Sequence, residues 1–71
     1  MVFELYVEGE LFFIAQIFKG VDLFIDFIDE YEANHLGDMS VVFDEDNSSM
    51  IIDFRTYEDY LQFEDAINNV E

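Results

Sequence analysis

The sequence predicts an α+β fold, and three observations carry that prediction. Apolar residues alternate or run together over four short segments, each bounded by Gly, Asn, Ser or acidic turn residues. Two longer segments repeat their apolar residues at helical spacing. An internal repeat links the two halves: Phe18-Lys19-Gly20-Val21-Asp22-Leu23-Phe24-Ile25-Asp26-Phe27 aligns with Phe54-Arg55-Thr56-Tyr57-Glu58-Asp59-Tyr60-Leu61-Gln62-Phe63, with the only Lys and the only Arg in equivalent places. The offset of about 36 residues implies two ββα units, 1–37 and 38–71, within one domain spanning 1–71. Their simplest assembly is a four-stranded antiparallel sheet with two helices on one face, since both apolar helix stripes then cover one sheet face.

Each element has its own signal. Val2 to Glu8 alternates as a strand does, and Leu11 to Phe18 is rich in aromatic and branched residues. Gly9-Glu10 between them fits a two-residue hairpin turn. That register pairs Val7 with Phe12 and Leu5 with Ile14, placing Phe3, Leu5, Val7, Phe12 and Ile14 on one face. Tyr6, Phe13 and Ile17 fall on the other, with Glu4 and Glu8. Val21 to about Asn34 reads as a helix, with Val21, Phe24, Ile25, Ile28 and Tyr31 at i, i+3, i+4, i+7 spacing, Leu23 and Phe27 widening the stripe, and Gly37 near its C-terminal stop. Met39 to Phe43 and Met50 to Phe54 are the second strand pair, joined by a turn over 44–49. Thr56 is a good N-cap, and Asp59 three residues later resembles a capping box with Asp in place of Glu. Tyr60, Phe63, Ile67 and Val70 form the stripe of the second helix, with Leu61 beside it. The uncovered sheet face would carry Tyr6, Phe13, Ile17, Val42 and Ile51, and an apolar patch of that kind marks an interface.

Composition narrows the function. Eighteen Asp and Glu stand against two Lys and Arg, for a formal charge of −16. Chains this acidic are ordinarily disordered, but 52% hydrophobic residues, with nine Phe and four Tyr, supply a core. At 71 residues the core is small and carboxylate repulsion opposes it, so stability is expected to rise with salt, and a homodimer is an available route to more buried area. There is no Cys, which suits a reducing cytoplasm. The N-terminus does not read as a signal peptide, and the run Leu11 to Ala15 is too short to span a bilayer. Membrane surfaces and nucleic acid, both anionic, are not expected as direct partners.

The chemistry-bearing constellations point away from catalysis. Asp44-Glu45-Asp46-Asn47-Ser48-Ser49 has acids where a calcium loop begins, but Ser49 stands where that loop needs Gly and Arg55 where it needs a bidentate Glu. His35 is the only His, so a zinc site is not expected. No serine has an evident base, and no carboxylate pair stands out among so many. No enzyme activity, cofactor or metal is expected. What remains is the acid itself. Asp22 and Asp26 lie roughly 6 Å apart along a helix axis, and Asp29 and Glu30 extend the row by another turn. Such a row has a spacing comparable to that of neighbouring phosphates on a DNA strand. A surface that only needed solubility would mix both signs.

In size, charge and mixed α/β character, the chain resembles the small acidic DNA-mimic inhibitor proteins of bacteriophages and mobile elements: anti-CRISPR proteins, anti-restriction proteins and uracil-DNA glycosylase inhibitors. The resemblance is one of class, rests on charge density and length, and transfers no residue by alignment. It implies an inhibitor that occupies the nucleic-acid-binding groove of a host defence protein in the host cytoplasm, an anti-CRISPR role coming first. The partner would be a basic protein such as a CRISPR effector, a restriction enzyme or a DNA repair enzyme. Asp22, Asp26, Asp29, Glu30, Asp44, Glu45, Asp46, Glu58 and Asp65 would meet its Lys and Arg, with Tyr6 and Phe13 as aromatic anchors. The alternative is a general interaction module, an antitoxin or adaptor, binding through the apolar sheet face.

Overall fold

In the computed structural model, which describes residues 1–69, the chain runs β1 (Val2–Val7), β2 (Glu10–Gln16), α1 (Val21–Asn34), β3 (Met39–Asp44), β4 (Ser49–Phe54) and α2 (Tyr57–Asn68). The four strands form one sheet in the order β2-β1-β4-β3. Both hairpins are antiparallel, but the central pair, β1 with β4, is parallel. The all-antiparallel sheet expected from the sequence is therefore corrected to a mixed one. The reason is geometric. Helix α1, about 21 Å long, carries the chain back to the end from which β2 came, so β3 runs in the direction of β2. Each hairpin then reverses direction, and the inner strands β1 and β4 must point the same way.

The core lies between the sheet and the two helices. Phe3 and Leu5 of β1, Met39 of β3 and Met50, Ile52 and Phe54 of β4 are buried against Ile28 of α1 and Phe63 of α2. Aromatic rings join the layers: Phe3 meets Phe24 edge-on at 4.6 Å, and Phe63 meets Phe54, Tyr31 and Phe27 at 5.1, 5.2 and 5.8 Å. The predicted stripes of α1 and α2 thus face inward, except that Leu23 is 77% and Leu61 43% exposed. Val70 lies outside the described residues.

The first hairpin turns one residue earlier than expected. Its turn is Glu8-Gly9, both at positive φ (54° and 82°), and Val7 pairs with Glu10. Two successive left-handed residues define the hairpin turn that matches strand twist, and Gly at the second position makes it accessible. A bulge then falls in β2, so that Tyr6 faces Leu11 but Leu5 faces Phe13. A one-residue change of register moves side chains to the opposite face. Phe13 and Ile17, expected on the open face, instead lie on the helix side; Ile14, expected in the core, is on the open face and 55% exposed. Phe12 stays on the helix side because the bulge re-aims it, and it meets Tyr60 and Tyr57 at 4.8 and 5.8 Å.

The caps match the sequence at α2 and differ at α1. Asp59 N–H donates to Thr56 Oγ1 (3.2 Å), and the Thr56 hydroxyl donates back to the Asp59 carboxylate (3.0 Å). Helix α1 starts instead from Gly20 in the left-handed region, with no side-chain cap. The lone His35 is structural: its ring stacks on Tyr31 at 3.9 Å, and Nδ1–H donates to the Tyr31 carbonyl at 2.9 Å.

Candidate functional site

The acids predicted to form the binding surface gather in three places. On α1, Asp22, Asp26 and Asp29 recur at i, i+4 and i+7, with Glu30 beside them, and all four are exposed. They share a face because the opposite stripe is held in the core by Phe24, Ile28 and Tyr31. On α2, Glu58 and Asp65 are exposed and two turns apart. At the β3–β4 turn, Glu45 and Asp46 are exposed, whereas Asp44 is half-buried and folded into the turn, accepting from Asn47 N–H (3.3 Å) and Asn47 Nδ2 (2.7 Å). Asp44 thereby shapes the tip, and Glu45 and Asp46 are the acids it presents. The strand register places this tip at the end of the sheet where β1 begins, which is also the end where α1 starts. The tip acids and Asp22 therefore share one end of the molecule. Among the described residues, no group of three or more His, Cys, Asp or Glu side chains converges as a metal site would.

The face of the sheet away from the helices is a second surface. Register puts Ile14, Glu4, Ile51 and Val42 in one row across it and Leu11, Tyr6, Asp53 and Ser40 in the next. Leu11, Ile14 and Val42 are each more than half exposed. Tyr6 is on this face as expected, but Phe13 is not, so the two predicted anchors are separated by the thickness of the sheet. Two acids outside the predicted binding set, Glu4 and Asp53, sit at its centre. Tyr6 O–H donates to Glu4 Oε1 at 3.1 Å, and Gly9 N–H donates to Asp53 Oδ1 at 3.3 Å. The signal for Glu4 was its alternation with Tyr6 along β1; Asp53 required the parallel pairing of β1 with β4.

The acid marks its aromatic neighbours. The hydrogen bond to Glu4, then burial and the charges of Glu4 and Asp53, raise the Tyr6 phenol above its ordinary range. Burial, with Asp38 and Asp59 adding, raises Tyr31. Burial first, then the hydrogen bond and charge of Glu64, push Tyr60 up to about 12. Each of these phenols is held neutral beside fixed negative charge.

Comparison with protein-family models, curated proteins and solved structures finds no match to the chain. No helix among the described residues is long and apolar enough to cross a membrane.

Proposed function

We propose that the protein is a DNA-mimic inhibitor that occupies the nucleic-acid-binding groove of a basic host defence protein, a CRISPR effector before a restriction or repair enzyme, in the host cytoplasm. The observation that carries this reading is the α1 row. Four carboxylates are held on one exposed face of a helix whose other face is locked into the core, within a chain of net charge −16. A rigid row matters because a groove built for phosphates rewards charges already in position, while a flexible acidic tail loses entropy on binding. Like charges at i, i+4 destabilise a helix by a few tenths of a kcal/mol each. Helix α1 keeps two such pairs, Asp22–Asp26 and Asp26–Glu30, and the i, i+3 neighbours Asp26–Asp29, with no cation on the face. Long-range attraction would speed the encounter, and salt would weaken it.

The test is competition. The protein should displace duplex DNA from its target in proportion to its concentration, and neutralising the row (D22N, D26N and D29N together) should abolish displacement while leaving the circular dichroism spectrum intact. Undiminished inhibition by that triple variant would remove the helix row from the account.

A second reading has its own support, the open sheet face with Leu11, Ile14, Val42 and Ile51. An adaptor or antitoxin binding there would tolerate the helix substitutions and lose its partner with Val42→Asp.

A further inference from the structure

We infer that β2 is a self-association edge, along which two copies join into a continuous eight-stranded sheet. This rests on the edge strand itself and is independent of the DNA-mimic reading. Strand β2 has a neighbour, β1, on one side only. Natural edge strands are protected by Lys, Pro, β-bulges, inward charges or brevity, and of these β2 has only the bulge at Phe12–Phe13, which leaves Ile14 to Gln16 regular. Strand β2 is seven residues long, and from Leu11 to Ala15 it carries no charge and no Pro. Leu11, Phe12, Phe13 and Ile14 are 48–55% exposed, and Phe18 just beyond is 80% exposed. The other edge, β3, is interrupted by Ser40 and ends in the acidic tip.

The register follows from the ladder. Met1 and Ile17 exchange both backbone bonds, Ile17 N–H to the Met1 carbonyl and the Met1 amino group to the Ile17 carbonyl, each 3.0 Å. Antiparallel pairs alternate, so Ala15 and Phe13 also bond inward to β1. Ile14, Gln16 and Phe18 then point their N–H and C=O groups away from the sheet, as does Leu11 beyond the bulge. A two-fold axis at Ala15 uses these groups. Ile14 pairs with Gln16 of the second copy, the Phe12–Phe13 bulge lies opposite Ile17, and Leu11 meets Phe18. Ala15 faces Ala15 at the axis, where strands approach closest and a small side chain fits. The same register sets Glu10 opposite Lys19, the only Lys of the chain, twice over. On the helix side, Phe13, Ala15 and Ile17 of this edge also line an apolar groove of about 190 Å³, together with Phe24, Ile67 and Glu64 of the helices. At about 150–250 Å² for a large aromatic side chain, the exposed fractions of these five residues amount at most to roughly 500 Å² per copy, so a symmetric pair that covered them fully would reach about 1,000 Å², the lower bound for a specific interface.

The salt dependence separates this occupant from any cationic partner. Two copies of charge −16 repel at long range, so salt strengthens the dimer, whereas it weakens the grip of a basic protein. Sedimentation of the purified chain across a concentration series, at low and high salt, should show a monomer–dimer equilibrium that shifts toward dimer as salt rises. Ile14→Pro removes two outward N–H groups at a position where an edge strand tolerates Pro, and should weaken the dimer roughly a hundredfold. Phe18→Asp, outside the strand and the core, should also leave a monomer, and keeps the test decisive should the proline variant unfold. Lys19→Glu or Glu10→Lys alone should each raise the dimer Kd roughly five- to ten-fold. The double swap, with the net charge of the native chain, should restore it. A chain that stays monomeric at high concentration and high salt, a dimer indifferent to Phe18→Asp, or a double swap that fails to recover overturns the inference.

Discussion

Tyr60 shows at a single side chain how burial and a neighbouring acid act together. Burial, with Glu64 beside it, raises its phenol to about 12, and Tyr6 and Tyr31 are raised as well. A raised phenol pKa means the folded chain holds its proton more tightly than the unfolded chain. The associated stability is therefore complete below the unfolded value of 10.0 and is lost as pH climbs toward about 12. Ultraviolet titration of the phenols should show three of the four tyrosines ionising late, and Glu64→Gln should bring Tyr60 down; three ordinary titrations would contradict the geometry. In the core, Phe63 meets three aromatic rings, Phe27 and Tyr31 of α1 and Phe54 of β4, and is 1% exposed. Phe63→Ala should cost about 3–5 kcal/mol, comparable to the whole stability of a domain this size, so denaturant unfolding should find that variant largely unfolded already. Phe3, Ile28 and Phe63 were readable as core from spacing alone. Phe13 was not, because its face depends on a bulge that alternation cannot reveal.

At the scale of the element, helices were more legible than hairpins. The span of α1 agrees with its apolar spacing at both ends, and the Thr56–Asp59 capping box is formed as its residues suggest. Thr56→Ala should lower stability by about 1 kcal/mol in denaturant melts. In the first hairpin, moving the turn from Gly9-Glu10 to Glu8-Gly9 shifts the register by two residues and leaves the faces unchanged; it is the bulge that carries Phe13 and the strand residues after it across the sheet, and composition does not reveal a bulge. The acidic row on α1 yields a prediction in which stability and function part. Asp26→Lys replaces repulsion with attraction toward Asp22 and Glu30, so stability should rise by a few tenths of a kcal/mol per pair, and the melting temperature with it. The same substitution sets a cation in the middle of the proposed binding row and should weaken displacement of DNA from the target. A helix kept acidic only for solubility would gain the stability and lose nothing.

Across the whole molecule, two helices cover one side of a mixed sheet and leave the other side open. The helix layer was anticipated, but the parallel centre was not. It follows from α1 crossing between the two edge strands, a long-range fact that local patterns do not encode. Net charge is also a property of the whole: the surface repels itself, and thermal melting should move upward as monovalent salt is added, where a surface of mixed charge would show little change. The acids of the helices and the turn were legible as composition and spacing, and alternation along β1 put Glu4 on the open face, while Asp53 beside it emerged only from strand pairing. The proposal rests on carboxylates fixed by a packed scaffold standing in for phosphates. The most direct measurement captures a partner from bacterial lysate on the immobilised chain at low salt, then adds excess duplex DNA. The account predicts that DNA elutes the partner and that the Asp22, Asp26 and Asp29 triple amide variant captures none. A partner retained in excess DNA, or captured equally by that variant, would contradict it.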